Sequence, residues 1–391
     1  MKTVIKSDKM ILPDGIFNGY VLLEDGLIGK ISKEPINGEE LYDLTGKYVS
    51  PGFIDIHTHG GGGFSFADSS AEEVIAGCDF HLTHGTTSIL PTVSASAYAN
   101  MISSLENIKA AMEAKKVKAN ILGAHLEGPY LSVAHCGAQC PDFITPPIKD
   151  EYVSTVKKYG KYIARWTYAP ENDEGGEFCK YITDRGIIAS AGHTDAKYKD
   201  MLTAIENGCN LVTHLYSTMS TVTRNEGYRS LGVIETAFLS DDLDVEIIAD
   251  GSHLPHELIR MILKIKGCDK VILCTDSLSV AGSDIREGVM CGTEFIVEDG
   301  VAKLKSREAF AGSVATADVL IRTLKDGCSC PITDAVRMLT ENPARLLGVN
   351  KGVIAEGKDA DVIVFDENVN VSHVFVGGEL VYEVSSAKAE E

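Results

Sequence analysis

Positive charge is what this chain most lacks. Its 36 lysines and arginines face 56 aspartates and glutamates, for a formal net charge of −20. So acidic a surface repels polyanions, which argues against nucleic acid or an anionic membrane as the partner. An anionic small molecule stays admissible, because it needs only a local cationic pocket. Long hydrophobic runs are missing too. No stretch reaches the roughly 18 apolar residues of a spanning helix, and the opening MKTVIKSDKMILPDG has no apolar core of the kind a secretory signal uses. A cytoplasmic protein is expected. The ten cysteines include no Cys-x-x-Cys pair. Several sit inside apolar runs, such as Cys274 in VILC, which suits reduced thiols better than a disulfide framework or a zinc knuckle. Repeats and low-complexity segments are absent apart from the polar tail SSAKAEE, which is expected to fray.

What is present is ordinary globular composition, 44% hydrophobic and 24% charged over 391 residues. Residues 1–50 read as short strands with turns at Asp25-Gly26 and Asn37-Gly38, and from 351 onward the same pattern returns with a turn at Gly377-Gly378. The two ends read as halves of one small β-sandwich domain, 1–50 plus 350–391. Between them, over 51–349, short apolar runs alternate with helix-length amphipathic stretches. The strand candidates are 52–57, 87–93, 120–127, 162–169, 186–193, 211–215, 245–250 and 270–276, and the helices include SAEEVIAGCDFHLTHG, TVKKYGKYI and HELIRMILKIKG. Eight buried strands alternating with helices predict an α/β fold of the (β/α)8 TIM-barrel type. A further hairpin, CGTEFIVEDGVAKLKS, follows the eighth strand.

The C-terminal ends of these strands carry the chemistry. The first ends in His57-Thr58-His59, the third in Glu127, the fifth in His193, the sixth in His214, the seventh in Asp250 and the eighth in Asp276. A lone histidine or aspartate at a strand end is usually a capped or hydrogen-bonded residue. So many ligand-type residues at one end of one barrel is a different matter, because unpaired buried charge is costly and calls for a partner. Residues i and i+2 of a strand share a face, so His57 and His59 can reach one ion. His81 and His84, in an inferred helix, read as structural. His125 shares the inward face of Glu127 and reads as a supporting residue, while His135 and His256 read as loop or cap residues.

The segments PGFIDIHTHG, HLEGPY, AGHT, THLYSTM, ADGSH, TDS, AGS, ENPARLLG and EGKDADVIVFD run in order over nearly the whole chain. Together they resemble the N-acetylglucosamine-6-phosphate deacetylases of the amidohydrolase superfamily, HLEGPY being the most specific. The resemblance implies a metal held by Glu127, His193 and His214, a second metal in some members on His57 and His59, and Asp276 as catalytic acid/base. It places sugar and phosphate contacts at Ala138, Gln139, Ser217, Thr218, Arg224, Asp250, Gly251, Ser252, His253, Phe310, Ala311 and Gly312. The implied reaction is deacetylation of N-acetylglucosamine 6-phosphate to glucosamine 6-phosphate and acetate, with water activated at the metal as nucleophile. One or two divalent ions are implied, zinc foremost, with iron, cobalt or manganese as alternatives. The resemblance further implies a homodimer in which a neighbouring subunit helps hold the phosphate.

Three departures from the family's usual pattern touch substrate contacts. They are Ser217-Thr218 in HLYSTM, Arg224-Asn225-Glu226-Gly227 in place of Arg-Glu-Pro-Gly, and Gln139 where many members carry histidine. They keep open N-acetylgalactosamine 6-phosphate or an unphosphorylated N-acetyl sugar as the substrate. A cyclic-amide hydrolase is disfavoured because strand four ends without a lysine. A non-catalytic assembly protein of this fold is disfavoured because all the ligand residues are kept.

Overall fold

The structure is a computed structural model; it describes residues 2–114, 116–290 and 292–384, so the tail SSAKAEE lies outside the described residues. Eight parallel strands form the barrel: β1 (Phe53–Thr58), β2 (Thr86–Ser94), β3 (Ala124–Glu127), β4 (Ile163–Tyr168), β5 (Ile188–Ala191), β6 (Leu211–Val212), β7 (Asp244–Ile248) and β8 (Val271–Cys274). Each pairs in parallel with the next from β1 to β8. Isolated hydrogen bonds close the ring between β8 and β1. The Asp276 N–H donates to His57 O at 2.9 Å and the His59 N–H to Ser277 O at 2.8 Å, and Asp55 accepts from the Thr275 hydroxyl at 2.6 Å.

The strands at 186–193, 211–215 and 270–276 end earlier than their apolar pattern suggests. His193, His214 and Asp276 lie beyond them with φ of 47°, 28° and 47°. That left-handed backbone is sparsely populated by residues with a side chain and concentrates at functional sites. The run 120–127 is interrupted at Gly123, where a Cβ would stand 3.0 Å from the backbone nitrogen of Ala164.

Helices cover the outside of the barrel for local reasons. In α1 (Ala71–Leu82), Ser70 accepts from the Glu73 N–H while the Glu73 carboxylate accepts from the Ser70 N–H at 2.8 Å, a reciprocal cap. Val74, Gly77, Cys78, His81 and Leu82, three and four apart, form its buried stripe. Alternation along β4 divides two environments. Trp166 faces the helical layer, stacked on Tyr130 at 5.6 Å between centroids, while Arg165 and Thr167 face inward. TVKKYGKYI straddles the end of a helix, Lys149–Tyr159, and a 3-10 turn, Gly160–Tyr162. No helix among the described residues is long and apolar enough to cross a membrane.

Both chain ends join in one eight-stranded sheet, five strands from Lys2–Pro51 and three from Val362–Glu383. It curls around its own core of Ile5, Met10, Val21, Val49, Val364 and Phe375, until the Ala360 N–H meets Gly26 O at 2.9 Å. The hairpin expected after β8 is part of a four-stranded antiparallel sheet, Glu287–Met290, Thr293–Glu298, Val301–Leu304 and Phe310–Gly312. This sheet leans over the barrel mouth.

Candidate metal centre

Closure of the barrel gathers six side chains from five strand ends. Glu127, 2% exposed, stands in the middle. Its Oε1 lies 3.1 Å from His193 Nε2, 3.0 Å from His214 Nε2 and 3.3 Å from His57 Nε2, and its Oε2 lies 3.2 Å from His59 Nε2. Asp276 Oδ1 is 3.2 Å from His59 Nε2 and 3.4 Å from His57 Nε2. The Nε2 atoms of His193 and His214 face each other at 3.2 Å. Among these six side chains, two groups could hold a cation, Glu127 with His193 and His214, and His57 with His59 and Asp276.

The donor set fits a divalent cation on two counts. Ligand atoms about 2.0–2.1 Å from an ion in tetrahedral arrangement stand roughly 3.3–3.4 Å apart. Within the group of Glu127, His193 and His214 the separations are 3.0, 3.1 and 3.2 Å. His57 Nε2 is also buried without a hydrogen-bond partner among the described residues. The electrostatics point the same way. Burial opposes a charge on His57, yet Glu127, Glu246 and Asp276 outweigh it and hold its pKa well above the ordinary value. Burial likewise opposes protonation of His59, but Asp276 and Glu127 raise its pKa to about 9. For Glu127, burial favours the neutral acid, and His57 and His193 overcome it to keep the carboxyl well below its usual range.

Three of the four imidazoles are steadied from behind at Nδ1. His59 Nδ1 is 3.0 Å from Ser94 Oγ, His193 Nδ1 is 3.0 Å from His135 O, and His57 Nδ1 is 2.8 Å from Glu246 Oε1. His125 is wedged between Thr92 and Thr167 with its ring edge-on to His57 at 4.5 Å. His81 lies in α1, 2.8 Å from Gly60 O, and burial lowers its pKa to about 4.

Residues 48–381 match the amidohydrolase family. The chain belongs to that family. This amidohydrolase is 34% identical over 377 residues to N-acetylglucosamine-6-phosphate deacetylase of Bacillus subtilis (strain 168), covering 94% of this chain and 93% of that protein. It is 31% identical to N-acetylgalactosamine-6-phosphate deacetylase of Shewanella sp. (strain ANA-3), over 93% of this chain and 90% of that one. Among solved structures it is similar to a mutant of N-acetyl-D-glucosamine-6-phosphate deacetylase from Mycobacterium smegmatis in complex with N-acetyl-D-glucosamine-6-phosphate. There the TM-score is 0.90 and the identity 26%, over 97% of this chain and 99% of that one.

A pocket of 260 Å³ opens over the amidohydrolase's ligand cluster. Its lining includes Ala138, Gln139, Ser217, Thr218, His253, Phe310, Ala311 and Gly312 beside His59, Glu127, His193, His214 and Asp276. Gln139 reaches further than the sequence suggests, donating from Nε2 to Glu127 Oε2 at 2.7 Å and accepting from the Ala95 N–H at 2.9 Å. Asp250 stands behind the lining; it accepts from the Ser252 and His253 N–H groups and from His253 Nδ1, all at 2.8 Å. With Phe310 packed on its ring at 4.8 Å, His253 is fixed toward the pocket. Gly251 and Ser252 form that turn without lining the pocket. Arg224 lies elsewhere, on an exposed hairpin of Thr223–Asn225 and Tyr228–Ser230. Sequence reasoning missed Tyr216, Met290 and Ala309 in the lining. It also missed Arg165 and Glu246 beneath the ligands, whose one signal was a charge inside an otherwise apolar strand.

Proposed function

We propose that this amidohydrolase deacetylates N-acetylglucosamine 6-phosphate, releasing glucosamine 6-phosphate and acetate, with Glu127, His193 and His214 holding a divalent ion and His57 and His59 a second. The observation that carries this reading is the convergence of four histidines and two carboxylates under a pocket of 260 Å³. When bound, a divalent ion at such ligands supplies Lewis acidity, polarising the amide carbonyl and lowering the pKa of water from about 16 toward 7.

The chain's own residues do the rest. Asp276 takes the proton of the attacking water and delivers it to the departing amine; without it the leaving group would be an amide anion. Its carboxyl starts ionised, because although burial favours the neutral acid, His57 and His59 hold its pKa below the usual range. His253, oriented by Asp250, hydrogen-bonds the substrate at the sugar or the carbonyl. Ser217, Thr218 and Gln139 contact the sugar. No lysine or arginine lines the pocket among the described residues, so the phosphate needs a cation from outside it. Arg224 on the exposed hairpin supplies that cation through its planar fork, in a homodimer where a neighbouring copy's hairpin reaches the pocket. Zinc is the metal this ligand set favours, and the enzyme works in the cytoplasm. Residues 1–50 with 350–391 form the sheet domain and 51–349 the catalytic barrel.

The test is acetate release by metal-reconstituted protein from N-acetylglucosamine and N-acetylgalactosamine, each with and without a 6-phosphate. Release only from N-acetylgalactosamine 6-phosphate would move the assignment to the sugar of the Shewanella relative. No release from any of the four would overturn it.

A further inference from the structure

Directly beneath the ligands the barrel interior is charged, and the chemistry proposed above makes no use of that charge. Arg165 on β4 and Glu246 on β7 are both fully buried and form an ion pair through Arg165 Nη1 and Glu246 Oε2. Burying such a pair carries a large desolvation cost, and apolar residues of the same volume often stabilise a fold as well or better. Stability alone therefore does not account for it.

Its contacts do. Arg165 Nη1 donates to Ile56 O at 3.2 Å, the residue before His57, and Nη2 donates to Thr213 Oγ1 at 2.8 Å, the residue before His214. Nη2 also donates to Ser190 Oγ on β5 at 3.2 Å. β4 brings no ligand of its own, yet its arginine braces the strands that do. Glu246 Oε1 then accepts from His57 Nδ1 at 2.8 Å and from the His214 backbone N–H at 3.2 Å. A proton fixed on Nδ1 leaves the His57 Nε2 lone pair aimed at the cluster. The other imidazoles show why the second bond matters. His59 and His193 have partners at Nδ1, whereas His214 Nδ1 has none among the described residues, so its backbone is where it can be held.

We propose that Glu246, locked in place by Arg165, is a positioning residue that aims one ligand of each group, His57 and His214, and so couples the two ligand groups through a single carboxylate oxygen. This rests on the reading of the cluster as a metal centre. Glu246→Gln keeps the shape and loses the charge that grips both ligands; the double variant Arg165→Met with Glu246→Gln removes both charges together, leaving none unpaired if the single variant folds poorly.

Both are compared with the wild-type full chain after chelator stripping. Cobalt(II) is titrated in competition with a chromophoric chelator, the cobalt d–d spectrum is recorded, and the melting temperature of the stripped protein is measured. The expected result is cobalt affinity weaker by about 10- to 100-fold in each variant, the size found for lost outer partners of metal-bound histidines, with a changed d–d spectrum. Affinity within twofold of wild type in folded protein overturns the proposal. So does a lowered melting temperature with affinity and spectrum unchanged, which would mark the pair as structural only. A wild-type protein that binds no cobalt overturns the metal-centre reading itself and the coupling with it, an outcome distinct from failure in the variants alone.

Discussion

The ligand cluster and the rim of the pocket are one mouth built in two ways. The cluster hangs on strand ends. Glu127, His57, His59, His193 and His214 are all 6% exposed or less, and each touches another ligand or a buried partner. The rim is loop. Ser217 and Thr218 stand in bends outside any strand or helix, and farther out, beyond the pocket lining, every residue of the Thr223–Asn225 and Tyr228–Ser230 strands is exposed. On the proposed reading, reaction chemistry sits at the buried strand ends, and recognition sits on loops that can be changed without disturbing the barrel. The three departures from the family's pattern follow this division. Ser217-Thr218 belong to the rim, the Arg224 hairpin lies outside the pocket lining, and Gln139 spans the boundary, lining the pocket and gripping Glu127.

Substitutions on either side should separate the two regions. His193→Ala, inside the cluster, is expected to abolish metal binding and turnover together; a metal content equal to wild type by elemental analysis would remove His193 from the ligand set. Asp276→Asn should keep the metal and lower kcat by about 100- to 10,000-fold, the usual worth of a positioned proton shuttle. A kcat near wild type would take the role from Asp276. Trp166→Ala asks how far the cluster depends on the outer layer, since Trp166 is fully buried against Tyr130 and Phe178. It should cost about 3–5 kcal/mol of stability in denaturant titration, with kcat little changed in the protein that stays folded. Arg224→Ala, on the exposed hairpin, should have the smallest effect. A lost charge-assisted bond of about 1.5 kcal/mol raises KM for the phosphorylated sugar roughly tenfold, with kcat kept and unphosphorylated sugars unaffected. Equal changes for both sugar classes would detach the hairpin from the phosphate.

Much of this protein is written locally. Eight apolar runs with helices between them specify a parallel barrel, because a buried parallel strand must be apolar on both faces. The residue types at the strand ends pointed to the proposed metal centre, since active sites of this architecture stand at that end. Strand centres were legible and strand ends were not. His193, His214 and Asp276 continue the pattern by composition yet leave the strands through a left-handed turn, which depends on what they face across the barrel.

Tertiary structure alone decided the rest. Arg165 and Glu246 are 81 positions apart, and nothing near either foretells its partner. A charge in an apolar strand reads as an anomaly until the ring closes and the two meet. The distance between Arg224 and the pocket was equally hidden, because a motif fixes residue order while the path of an exposed hairpin is set by packing. Periodicity travels along the chain and so can be read from it. Pairing across a barrel is a property of closure, and closure exists only in three dimensions.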